Sequence, residues 1–170
     1  MLVQVNGKSK HGDLPIDDEE LTSAEIKAKV RNRDDVLGMD VNVLFLAALE
    51  DQVHADNIND VKARIIVEGA NSPVSAEADK ILSEKGVIIV PDILANAGGV
   101  IVSYFEWIQG RETQFYTEEE VHTKQFDKMK KTFDTVLPQF FGDPHSLRQN
   151  CYIHAVSKLS TVLYRQGKLY

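Results

Sequence analysis

The chain has 170 residues, with 43% hydrophobic and 26% charged side chains, enough for one domain with a core. Its formal net charge of -7 and pI near 5.2 argue against nonspecific nucleic-acid binding, which needs a basic surface. A single cysteine, Cys151, allows neither an internal disulfide nor a cysteine-based zinc cluster and makes a reducing, cytoplasmic home the default expectation. The start turns polar at once, so no signal peptide is expected, and the apolar stretch 86–102 is broken by Pro91, Asp92 and Asn96, so no membrane span is expected either.

Residues 2–5 form a short apolar run ended by Asn6-Gly7, which predicts a strand and turn. After a loop over 7–15, residues 17–33 predict an exposed helix. Asp17, Asp18, Glu19 and Glu20 crowd its first turn, and Lys27, Lys29, Arg31 and Arg33 its end. That order of charge complements the helix dipole and needs no functional explanation.

An alternation follows. Residues 41–46, 64–67 and 87–90 are compact apolar runs rich in β-branched side chains, each predicting a strand. Residues 75–85 predict a helix between the last two, with Ser75 as N-cap and Gly86 as stop. Strands joined by helical crossovers imply an α/β fold, a parallel sheet with helices on both faces. In the final third, Thr117 to Glu120 read as a capping box, followed by Phe126, Met129, Phe133 and Val136 at helical spacing. Pro138 is expected to end or kink that helix. Asp143-Pro144 is expected to open the next, with Leu147, Cys151, Ala155, Leu159 and Val162 on one side. Cys151 on that stripe reads as a packing group. The division expected is residues 1–115 for the sheet domain and 116–170 for a helical tail packed on it.

Open parallel sheets bind ligands beyond the carboxyl ends of their strands. Three loops stand there: Ala47-Ala48, Gly69-Ala70-Asn71 and the run from Pro91 through Asn96 to Val100. Small residues allow close approach to a flat ligand, and each asparagine offers a donor and an acceptor. An asparagine after a strand is often only a turn former, so the case rests on recurrence. Asn96 also begins an apolar helical segment reaching about Gln109, whose free amides favour an anion. His11, His54, His122, His145 and His154 show no metal-ligand spacing.

The motifs VEGANSPVSAEAD (67–79), VPDILANAGGVIVSYFEW (90–107), VLFLAALEDQV (43–53) and LRQNCYIHAVSKL (147–159) resemble the glutamate/leucine/phenylalanine/valine dehydrogenases over roughly residues 40–165. The resemblance implies part of a Rossmann-like domain that binds NAD or NADP. VSYFEW after NAGGV resembles the glutamate branch, which implies oxidative deamination of L-glutamate to 2-oxoglutarate and ammonia. It further implies that Asn71 and Asn96, with Gly69 and Ala70 beside them, hold the nicotinamide ribose and carboxamide. Ala47 and Ala48 match the loop over the adenosine side of the cofactor. Ser103 matches a serine that bonds the substrate side-chain carboxylate, and Val100 the apolar lining of the same pocket. A hydroxyl facing a carboxylate makes a charge-assisted bond and rejects apolar side chains.

Asn42 and Leu46 depart from the family's usual acid and proline, and residues 72–77 (SPVSAE) from its usual loop. The ten glycines include no Gly-x-Gly, so the tight turn that brings backbone to a pyrophosphate is not found, and no Lys-Gly-Gly occurs, so no catalytic residue is assigned. The expectation is a segment of such an enzyme, inactive alone, forming a homo-oligomer or pairing with a full-length dehydrogenase. The alternative is a non-catalytic regulatory or assembly module.

Overall fold

In the computed structural model, residues 36–113 and 115–169 are described. The strand expected at 2–5 and the helix expected at 17–33 lie outside them. The three strands expected next are present: β1 (Val43–Leu46), β2 (Ile65–Glu68) and β3 (Ile88–Val90). They form one parallel sheet in the order β1-β2-β3, with Val43 opposite Ile65 and Ile65 opposite Ile88.

Helix α1 (Ala76–Glu84) joins β2 to β3. Ser75 caps it, its hydroxyl accepting from the Ala78 N–H at 3.2 Å. Gly86, at φ +81°, stops it, and the Val87 N–H closes back on the Leu82 carbonyl at 2.9 Å. This is the glycine-dependent C-terminal cap, since a left-handed residue without a Cβ costs little there. The β1-to-β2 crossover has no α-helix. It carries a single 3₁₀ turn, Ile58–Asp60, and a parallel bridge between Val53 and Val74. Asn57 braces it, accepting from the His54 N–H and donating to the Gln52 carbonyl, each at 2.9 Å.

The strands alternate in burial. Leu44, Leu46, Ile66 and Ile89 pack with Ala78 and Leu82 of α1 and with Val53 and Ile58 of the crossover. Each large side chain fully buried there is worth about 1.5–3 kcal/mol. On the other face Val43 and Phe45 are 37% and 54% exposed. Adjacent strand residues point oppositely, so Ile89 faces the α1 core while Val90 packs on a second cluster formed by Leu94, Val136, Leu147 and Cys151. Helices therefore flank both sides of β3.

That second cluster is supplied by the carboxyl-terminal helices. After α2 (Asp92–Ala95) come α3 (Ala97–Glu112), α4 (Glu118–Phe141) and α5 (Leu147–Arg165). Thr117 and Glu120 form the expected capping box. Pro138 does not end α4, which runs on to Phe141. α5 starts later than Asp143-Pro144. Its cap is Ser146, whose hydroxyl accepts from the Gln149 N–H at 3.2 Å, while Gln149 Oε1 accepts from the Ser146 N–H at 2.9 Å. The apolar stripe of α5 divides: Leu147 and Cys151 are buried, while Leu159 and Val162 are 59% and 44% exposed. Among the described residues no helix is long and apolar enough to cross a membrane.

Burial pushes the Cys151 thiol up to about 11, against the opposing pull of Arg148. Since the thiolate is the reactive species, labelling of native Cys151 by a disulfide reagent at pH 8 should run on the order of 100-fold slower than in the urea-unfolded chain. Comparable rates in the two states would show that the α5 seat is open.

Candidate functional site at the strand rim

The loops after the three strands converge. Leu46 ends β1, and its carbonyl accepts from both Gly69 N–H and Ala70 N–H at 2.8 Å. That pulls the β2 loop against Ala47. A Cβ placed on Gly69 would meet the Ala47 Cβ at 2.9 Å, so glycine is required by the approach of one loop to the other. Further out, Asp51 N–H donates to the Ser72 carbonyl and Val53 N–H to the Pro73 carbonyl, each at 2.9 Å. Both Asp51 and Ser72 take positive φ, 49° and 46°, a conformation costing a non-glycine residue about 1 kcal/mol or more.

Asn71 and Asn96 come together across this rim. The Asn96 side-chain amide donates to Asn71 Oδ1 at 2.7 Å and lies 3.5 Å from the Ala70 carbonyl. Among the described residues the other halves of the pair, Asn71 Nδ2 and Asn96 Oδ1, have no protein partner. The rim thus retains one amide donor and one amide acceptor side by side.

Asn96 is also the N-cap of α3, though its side chain makes no capping bond. Gly98 approaches α4 and not the sheet: a Cβ there would press on the Gln125 side chain. Gly99 has nothing within 4 Å of an added Cβ. Val100 and Ser103 lie three residues apart on α3, hence on one helical face. Val100 is 70% exposed and Ser103 is exposed as well. Ala47 and Ala48 are exposed on the β1 side. The loops thus join Ala47, Gly69, Ala70, Asn71 and Asn96 by direct contact, with Val100 and Ser103 following on the helix that Asn96 opens. A groove of about 1090 Å³ between α1 and the α4–α5 connection meets this rim only through Ser72 and Asp51.

Beneath the rim lies an ionic cluster that the residue pattern did not announce. Glu68, fully buried at the end of β2, accepts from Arg148 Nη2 with both oxygens at 2.7 Å. Arg148 Nε bonds Asp79 of α1, and Nη1 bonds Asp92 at 3.0 Å. Asp92 N–H donates to Glu68 Oε2 at 2.7 Å, and Asp92 Oδ2 accepts from the Ser72 N–H at 2.9 Å. Burial pushes the Glu68 carboxyl above its usual range, only partly offset by Arg148 and the Asp92 amide. Burial would push Asp92 up too, but the Ser72 and Ile93 amides and Arg148 together hold it below the usual range. The one local signal for this cluster is Glu68 itself, an acid closing an otherwise apolar strand.

A family profile described as Glutamate/Leucine/Phenylalanine/Valine dehydrogenase matches residues 4–167. The chain is 40% identical over 129 residues to the NAD-specific glutamate dehydrogenase of Staphylococcus aureus (strain COL), covering 76% of this chain and 31% of that protein. It is 42% identical over 133 residues to the NADP-specific glutamate dehydrogenase of Synechocystis sp. (strain ATCC 27184 / PCC 6803 / Kazusa), covering 78% and 31%. The chain thus spans about a third of the length of these curated relatives. Among solved structures, the hetero-hexameric glutamate dehydrogenase from Thermus thermophilus (Leu bound form) superposes with a TM-score of 0.74 at 29% identity, covering 90% of this chain and 36% of that one.

Two outcomes follow from the geometry. Gly69→Ala should destabilise the chain by about 1–3 kcal/mol in urea melts, because the new methyl overpacks the contact with Ala47; an unchanged midpoint would mean the loops separate freely. The lowered Asp92 carboxyl stabilises the fold fully above the ordinary aspartate value of about 3.9 and ceases to as pH falls through its folded value. Asp92→Asn should therefore lose stability less steeply than the parent below about pH 4. Parallel curves in urea titrations from pH 6 to pH 3 would contradict this.

Proposed function

Because the chain belongs to the glutamate/leucine/phenylalanine/valine dehydrogenase family, we propose that its strand rim holds the nicotinamide end of NAD or NADP and serves oxidative deamination of L-glutamate to 2-oxoglutarate and ammonia. The observation that carries this is the Asn71–Asn96 pair. Its free donor and free acceptor are the complement of a carboxamide, which presents one acceptor and one donor of its own. Gly69 lets the β2 loop close on Ala47, Ala70 adds only a methyl beside the pair, and Ala47 and Ala48 border the same space toward the rest of the dinucleotide. The bound nicotinamide supplies the hydride acceptor. What the chain supplies is orientation, through side chains held at the ends of rigid strands.

Substrate recognition falls to the exposed face of α3. Ser103 offers a hydroxyl to the side-chain carboxylate of glutamate, and Val100, one turn earlier, offers apolar lining. The division at 1–115 and 116–170 fits this reading. It lies between Thr113, whose φ of 53° ends α3, and the Thr117 cap that starts α4. In this reading the molecule works in the cytoplasm, as a homo-oligomer or paired with a full-length dehydrogenase. The exposed apolar side chains of α5, Ile153, Val156, Leu159 and Val162, favour such pairing. They are also the observation behind the second reading, a regulatory or assembly module that does no chemistry.

Saturation-transfer NMR on the purified 170-residue chain with NAD should saturate the nicotinamide protons more strongly than the adenine protons. Asn96→Ala should abolish the difference while leaving the fold intact by circular dichroism. With no Lys-Gly-Gly in its sequence, the chain alone should produce no NADH from glutamate. Equal saturation of the two rings, or an unchanged pattern in Asn96→Ala, would favour the assembly module.

A further inference from the structure

Arg148 stands 80 positions after Glu68 in the chain, yet its guanidinium is shared among Glu68, Asp79 and Asp92. Each acid belongs to a different element: the end of β2, the first turn of α1 and the start of α2. Two of the arms continue to the rim and one does not. Glu68 holds the Asp92 amide, and Asp92 holds the Ser72 amide, next to Asn71 and in its left-handed conformation. Asp79 has its other oxygen on the Ser83 hydroxyl of its own helix and touches neither loop. A planar guanidinium can hold three carboxylates at fixed angles, which a lysine ammonium on a flexible stem cannot do.

We propose that Arg148 is a positioning residue for the nicotinamide site: from α5 it sets the spacing between the loop bearing Asn71 and the loop bearing Asn96. The proposal rests on the cofactor reading above for its consequence, but not for its geometry. Cofactor affinity then depends on how α5 is seated, although among the described residues no α5 side chain is hydrogen-bonded to the rim asparagines.

The three arms make a structural role distinguishable from a positioning one. Arg148→Lys in the full 170-residue chain, followed by amide hydrogen exchange and side-chain amide NMR, should lower protection of the Ser72 N–H at least tenfold. It should also shift the Asn96 side-chain amide resonances, while the Ile66 and Ile89 amides of the sheet stay protected. The NAD dissociation constant should rise about tenfold, which is roughly 1.4 kcal/mol. Asp79→Asn, which removes one ionic arm but leaves the rim arms, should change Ser72 protection and NAD affinity less than twofold. Asp92→Asn, which loosens the Ser72 bond directly, should behave like Arg148→Lys; if Arg148→Lys fails to fold, Glu68→Gln, which weakens the arginine's anchor and leaves Asp92 in place, decides the matter by the same signals. Unchanged Ser72 and Asn96 signals in Arg148→Lys, or equal effects from Asp79→Asn and Asp92→Asn, would overturn the proposal. If the parent chain binds no NAD, the cofactor reading fails, and the exchange data still judge the positioning role.

Discussion

A carboxylate buried without a partner costs several kcal/mol, and Glu68 is fully buried at the end of the middle strand. The arrangement around it answers that one constraint. Arg148 reaches it from α5 with both oxygens engaged, and the Asp92 amide supplies another donor. Because one guanidinium also meets Asp79 and Asp92, the neutralisation of Glu68 ties β2, α1, α2 and α5 to a single point. Hydrophobic burial alone would let these elements slide. Charge pairing with fixed angles does not, and the helical tail is thereby registered against the sheet.

This registration spans two faces of unequal packing. The α1 side of the sheet is closed by Leu44, Ile66, Leu82 and their neighbours. The other side is half-open along β1 and β2, with Phe45 54% exposed, and only Val90 of β3 enters the second cluster. The rim loops thus sit between a tightly packed layer and a loosely covered one. Their shape is set by hydrogen bonds: the Leu46 carbonyl on Gly69 and Ala70, and the Asp92 carboxylate on Ser72.

Much of the scaffold was legible in the residues because its signals are local. β-branched runs marked β1, β2 and β3, Ser75 and Gly86 bounded α1, and Thr117 with Glu120 marked α4 within a residue of its start. The convergence of Asn71 with Asn96 followed from the rule that loops at the carboxyl edge of a parallel sheet meet. Of the two outcomes expected of Pro138, an end to the helix is not what occurs, since α4 continues through it to Phe141. Asp143-Pro144 misled because Ser146 and Gln149 form a better cap three residues on. Arg148 could not be found at all: nothing local distinguishes it from a surface arginine, and its partners lie 56 to 80 positions away. The strand expected at 2–5 and the helix at 17–33 fall outside the described residues.

Asp51 and Ser72 bend two neighbouring loops by the same left-handed device and are joined to each other by a hydrogen bond. The Val53–Val74 bridge lies just beyond them. The ladder between β1 and β2 therefore resumes past the strands, so the two loops form one stiff lip and not a pair of independent flaps. A lip of that kind tilts as a unit. The bond from Asp51 to Ser72 thereby ties the β1 side of the rim to the residue that follows Asn71.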